Sequence, residues 1–242
     1  MSASAAAQAQ GAKSLAVISA GAAKGTVTAL QPWLRTAHAA EVAAIFGAVG
    51  AMRARLLAGD PCDVIILTQA MLAELERDGQ VVGGTTIPIG TVRTGIAVRA
   101  GTPLPSIADR VGLVAALHAA STIYVPDTQS STAGKHVLAV LHRLGIADTV
   151  APRLRSFPNG AIAMRELAAS GEPAPLGCTQ VTEILYTPGV TLAGALPAEF
   201  GLSTLYAAAV ATVARQGDLA RSFIARLTGP ETQALRREGG FE

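Results

Sequence analysis

The strongest constraint on this chain is a regular exchange between short apolar runs and helix-like stretches. LAVIS at 15–19, EVAAIFG at 41–47 and CDVIILT at 62–68 have the length and composition of buried strands. Between them lie stretches from Lys24 to about His38 and from about Gly50 to Ala58, and MLAELERDG follows with apolar residues at helical spacing. A β-α-β-α-β-α order of this kind requires parallel strands joined by right-handed crossovers, with helices on both faces of the sheet.

The alternation breaks at RTGIAVRAG, an extended segment after the turn-rich VVGGTTIPIGTV, and TPLPSIADR then leads to a helix start expected at Ser106. A second set follows: the strand STIYVPD, the helix STAGKHVLAVLHRLG stopped by Gly145, the helix NGAIAMRELAASG ended by Gly171, the short strand APLGC and the helical turn TQVTEILYT. After LSTLYAAAVA, the tail reads as two helices parted at Gly229 and Pro230. The chain is therefore expected to be α/β and two-lobed, each lobe a doubly wound, mostly parallel sheet. Residues 14–92 and 198–242 form one lobe, 93–197 the other, and 1–13 a disordered leader.

A length of 242 residues with 50% hydrophobic content is enough for two cores. Charged residues make up 15% and the net charge is +2, which argues against a nucleic-acid partner; aromatics at 4% argue against base-stacking platforms. Cys62 and Cys178 show no metal or redox spacing and are expected to be buried apolar residues, so no metal and no cofactor is expected. No run reaches the ~18–20 apolar residues of a membrane span, so direct insertion is not expected. The leader lacks a basic start and a leucine-rich segment, yet its SAAAQA resembles the end of a signal peptide. Periplasmic export after cleavage and a cytoplasmic life from Met1 both remain open on that reading.

Several turns at the carboxyl ends of the strands are made of small residues just before helix starts: SAGAAKG, GAVG, DTQSSTAGKH and FPNGAI. Ligands of open α/β sheets sit at that edge, where free backbone N–H groups favour an anion. The alternative is plain turn chemistry, in which Gly and Ala merely permit tight connections. The same order of elements resembles the type II periplasmic binding proteins, and in particular the molybdate-binding family of ABC importers. The resemblance is carried by AVISAGAAKGTVTAL, IFGAVGAMRARLLAGDPCDVIILTQ, the AG of STAGKHVLAVLHRLG, SGEPAPLGCTQVTEIL and the tail ARSFIARLTGPETQALRREGGFE. It implies two lobes joined by crossing strands that close on an oxyanion, with ABC-transporter membrane subunits as partners.

On that resemblance Ser19 stands at the first-loop hydroxyl, with Gly21 and Ala22 beside it. Ala48 and Val49 stand where relatives supply a second hydroxyl, and Gln180 stands where relatives carry a tyrosine. Ser131, Thr132 and Gly160 complete the expected ligand contacts. With a hydroxyl and a tyrosine replaced, a small organic carboxylate is the expected ligand rather than molybdate. Arg93 at the lobe crossing is a candidate carboxylate clamp, with Lys24 and Lys135 adding charge. Glu183 is expected to support Gln180. The fold also resembles aconitate isomerase, which implies a cofactor-free proton transfer on a di- or tricarboxylate, with His136 as the candidate base. A binding protein, an isomerase and a ligand sensor remain alternatives, and turnover of the bound acid separates the second from the others.

Overall fold

The structure is a computed structural model that describes residues 13–242; the leader expected at 1–13 lies outside the described residues except for Lys13, which opens the first strand. In chain order the elements of the first part are β1 (Lys13–Ala20), α1 (Lys24–Ala29), α2 (Gln31–His38), β2 (Ala40–Gly47), α3 (Val49–Leu57), β3 (Val64–Thr68), α4 (Gln69–Arg77) and β4 (Ile87–Arg99). Next come α5 (Arg110–Ala119), β5 (Thr122–Pro126), α6 (Thr132–Leu144), α7 (Ala147–Val150), β6 (Leu154–Phe157), α8 (Gly160–Ala169), β7 (Pro175–Gln180), α9 (Val181–Leu185) and β8 (Val190–Ala195). The chain ends with β9 (Ser203–Val210), α10 (Gly217–Thr228) and α11 (Gln233–Glu238).

The strands run in the order β2-β1-β3-β9-β4-β7-β5-β6, with β8 also paired to β4. Pairing is parallel within β2-β1-β3 and within β7-β5-β6. Antiparallel β9 and β4 join the two sets: Ile87 to Arg93 of β4 pair with β9, while Thr94 to Arg99 pair with β7 and β8. One 13-residue strand is thus shared by both sheets. The apolar core divides accordingly. One cluster joins Leu15, Ile65 and Leu67 to Phe223 of α10, a second joins Leu113 and Val125 to Phe200, and a third packs Met164 and Leu167 of α8 on Ala97.

Local chemistry accounts for the boundaries. The single helix expected from Lys24 to His38 is broken at Leu30, because Pro32 in the first turn of α2 has no N–H to continue the ladder. The helix expected from Ser106 begins at Arg110 instead, capped by Asp109, whose carboxylate accepts from the Gly112 N–H at 2.8 Å. Helix α8 ends at Ala169, before the expected Gly171, whereas Gly145 does terminate α6 in the left-handed conformation. Buried Asp63 accepts from the backbone N–H groups of Ala16, Arg215 and Gln216 at 2.7–2.9 Å, tying β1 and β3 to the start of α10. Cys62 and Cys178 are buried free thiols, and burial pushes each up to about 12, so both are inert apolar fillers. Among the described residues no helix is long and apolar enough to cross a membrane.

Candidate functional site

Where the two parallel sets meet, the starts of α3, α6 and α8 converge on one small pocket. It is lined by the turn at Gly21 and Ala22, by Ala48 and Val49, by Ser131 and Thr132, by Asn159 and Gly160, and by Gln180, Glu183 and Tyr206. The first N–H groups of each helix lack intrahelical acceptors, and the helix dipoles add positive potential at the same spot. Asn159 accepts from Ile162 N–H at 2.9 Å and Ser131 from Gly134 N–H at 3.3 Å, whereas α3 has no side-chain cap at Ala48. Gly134 lets α6 press onto the carbonyls of Pro126 and Asp127, where a Cβ would collide with backbone. Asp127 in turn folds the DTQSS turn by accepting from the Ser130 hydroxyl and from two backbone N–H groups.

The pocket is closed across the two sets. The Tyr186 hydroxyl donates to Gly21 O at 3.1 Å, and a Cβ on Gly50 would lie 3.2 Å from Ser130 O. A cavity volume of about 20 Å³ remains, near the ~10–15 Å³ that a single water requires. The amide of Gln180 lines this space almost fully buried, and neither its nitrogen nor its oxygen has a hydrogen-bond partner among the described residues. The Tyr206 hydroxyl lies beside it, near enough for the amide to favour the ionised phenol, although no hydrogen bond of normal length joins the two. A buried amide with both atoms unmatched is costly, and an anion or acid in the pocket would satisfy it.

Glu183 is the acidic group of the pocket wall. Its Oε2 accepts from the Thr179 hydroxyl at 2.5 Å, and its carboxyl fills the space beside two glycines from opposite sets, so that a Cβ on Gly21 or Gly160 would overlap it. Burial pushes this carboxyl up to about 7, and the Thr179 hydroxyl with the N–H groups of Ala161 and Gln180 only partly offsets the rise. Burial and the neighbouring Glu183 charge also drive the Tyr186 and Tyr206 hydroxyls upward, so both remain neutral. The pocket therefore presents backbone dipoles, neutral polar groups and one carboxyl that changes charge near neutrality.

Of the residues expected from the sequence, Gly21, Ala22, Ala48, Val49, Ser131, Thr132, Gly160 and Gln180 come together here. Lys24 lines an adjoining chamber that shares the Gly21, Gly47 and Asn159 walls. Four others stand apart. Ser19 is fully buried behind the pocket and donates to Ala20 O at 2.9 Å. Arg93 points outward from β4, half exposed, and pairs with Glu242 at 2.5 Å. Lys135 is exposed on α6. The His136 ring is bound through Nε2 to Phe200 O at 2.7 Å, outside the pocket. The candidate clamp Arg93 and the candidate base His136 are thus held by tertiary partners, Glu242 and the Phe200 carbonyl, away from the pocket. Glu183, read in the sequence as a cap or support for Gln180 with a catalytic role as the lesser alternative, lies in the pocket wall, and Arg165 of α8 lines the adjoining chamber without having been singled out.

Two α/β halves joined by crossing strands, with a small polar pocket at their junction, make a two-lobed architecture. The chain belongs to the bacterial extracellular solute-binding protein family, whose model matches residues 15–242. It is similar to the periplasmic molybdate-binding protein of Azotobacter vinelandii, with a TM-score of 0.78 and 20% identity over 94% of this chain and 98% of that one. It is similar also to the sulfate-binding protein of Mycobacterium tuberculosis, with a TM-score of 0.73 and 19% identity over 95% and 86% of the two chains. Among curated proteins it is 25% identical to an aconitate isomerase from a Pseudomonas species, over 97% of this chain and 89% of that one.

Proposed function

We propose that this chain is a periplasmic solute-binding protein whose two lobes close on a small organic carboxylate and present it to the membrane subunits of an ABC importer. The observation that carries the reading is the buried, unmatched Gln180 amide at the point where three helix starts converge. Backbone N–H groups receive the anionic oxygens, and the amide and a protonated Glu183 complete their shell. Protonated Glu183 donates to an anionic oxygen without repelling it, and Gln180, which on the family resemblance stands where molybdate binders carry a tyrosine, is the feature that favours a carboxylate over molybdate. A thermal-shift series with molybdate, sulfate, acetate, succinate and tricarballylate tests this. A bound acid at 100 times its Kd adds about 2.7 kcal/mol. No response to any anion overturns the anion site, and submicromolar molybdate binding with no response to carboxylates overturns the selectivity.

A second reading is favoured by Glu183 itself. A carboxyl titrating near 7 inside a closed pocket has the poise of a general base. In an isomerase of the kind its Pseudomonas relative is named for, ionised Glu183 would take a proton from one carbon of an unsaturated tricarboxylate. The C–H electron pair then forms a new double bond as the old one shifts, and the protonated Glu183 returns the proton to the distal carbon. Incubation of cis- or trans-aconitate with the protein in D₂O distinguishes the two. Deuterium in the C–H positions that vanishes in Glu183→Gln establishes the isomerase, and tight binding without exchange leaves the binding protein.

A further inference from the structure

The inner pocket has room for one acid group but not for a whole di- or tricarboxylic acid, and the chamber beside it adds the missing space. That chamber has a cavity volume of about 220 Å³ against about 20 Å³ for the inner pocket, and the two share the Gly21, Gly47 and Asn159 walls. Lys24, at the first turn of α1, and Arg165, on α8, face it from the two parallel sets. Its other walls include Phe46 and Ile162, and no acidic side chain among the described residues lines it. Among the described residues neither cation takes part in an ion pair, although other surface arginines, Arg35, Arg55 and Arg93 among them, do. The Lys24 ammonium is held 5.9 Å from the Phe46 ring centre and 5.8 Å from that of Tyr186. The Arg165 charge acts on the same Tyr186. Two cations with no ion-pair partner among the described residues thus flank an opening whose inner end is lined by helix starts and the Gln180 amide.

We propose that Lys24 and Arg165 form a second acid subsite, so that the ligand is an organic acid with two or more acid groups, one seated in the inner pocket and another held between these two side chains. The inference rests on the carboxylate reading of the inner pocket. Phe46 and Ile162 contact the hydrocarbon between the acid groups, and the cations add attraction that the inner pocket lacks. Because they come from opposite sides of the cleft, a doubly anionic ligand also holds the two sides together. Arg165 offers a planar fork to the carboxylate and Lys24 a point charge.

Calorimetry and thermal shift on the full chain with acetate, succinate, tricarballylate and molybdate provide the test, alongside Arg165→Gln and Lys24→Gln. Succinate or tricarballylate is expected to bind at least about tenfold more tightly than acetate, and each substitution to remove about tenfold of that advantage while leaving the acetate response unchanged. Both side chains are partly or largely solvent-exposed, and an unchanged melting temperature of the ligand-free variants shows that they fold. Acetate binding with no gain for the larger acids, or a gain that survives both substitutions, overturns the second subsite and leaves the inner pocket standing. Binding of molybdate alone, or of none of the four, overturns the carboxylate reading and the subsite with it.

Discussion

The Thr179 hydroxyl donates a 2.5 Å hydrogen bond to Glu183 Oε2 at the point where β7 passes into α9. This bond favours the ionised carboxylate, and burial opposes it more strongly, leaving the group near 7 against an ordinary 4.5. The folded protein therefore holds the Glu183 proton more tightly than the unfolded chain does. The stability linked to it is fully present below about pH 4.5 and is lost as pH rises through 7, by up to about 3 kcal/mol. Urea unfolding of the ligand-free protein at pH 5 and pH 8 measures the difference. Glu183→Gln should remove most of that decline, and an equal decline in the variant would place its source elsewhere.

Gly160 is where the same carboxyl sets a steric limit. A Cβ there would run into Glu183 Oε2 and Thr179 Oγ1, which hold each other in place and cannot both retreat. Gly160→Ala is expected to cost about 1–3 kcal/mol through overpacking and to abolish the thermal-shift response to anions. Gly171→Ala, which meets nothing within 4 Å, should stay within about 0.5 kcal/mol of the parent. Equal behaviour of the two variants would show that the pocket wall yields.

The parts of the fold visible in the sequence are those set by local pattern. The runs 15–19 and 62–68 became β1 and β3 because helices cover both of their faces, and the glycine turns became helix starts because only small residues allow such close approach. Gly134 illustrates this, since α6 lies directly on the Pro126 and Asp127 carbonyls. The outward turn of Arg93 is hidden from a sequence reading because a crossing strand does not show its faces: Val92 and Thr94 point inward, so Arg93 between them points to solvent. Its partner Glu242 lies 149 residues away. The surroundings of Glu183 are hidden for a similar reason. The spacing of four from Thr179 was visible, but the two glycines that make room for its carboxyl come from turns remote in sequence.

From those placements, Arg93→Ala should change the affinity for any carboxylate by less than about twofold and stability by less than about 1 kcal/mol, as for an exposed ion pair. His136→Ala removes the 2.7 Å hydrogen bond to Phe200 O; it should cost about 1 kcal/mol of stability and leave affinity unchanged. A tenfold loss of affinity in either variant would return that residue to the site.

Gln180 separates binding from stability most sharply. Its amide is buried with neither atom matched by a protein group among the described residues, and a bound acid would supply the partner. Gln180→Leu keeps the approximate shape and removes both polar atoms. Chemical denaturation of the ligand-free variant should show a gain of about 1–2 kcal/mol, while calorimetry with succinate or tricarballylate should show at least about a tenfold loss, because the ligand loses a buried amide partner. A structural role for Gln180 predicts the reverse pattern, with stability falling and affinity following only through misfolding. The two signs are opposite, and the pair of measurements on one variant decides between a residue kept for the ligand and one kept for the fold.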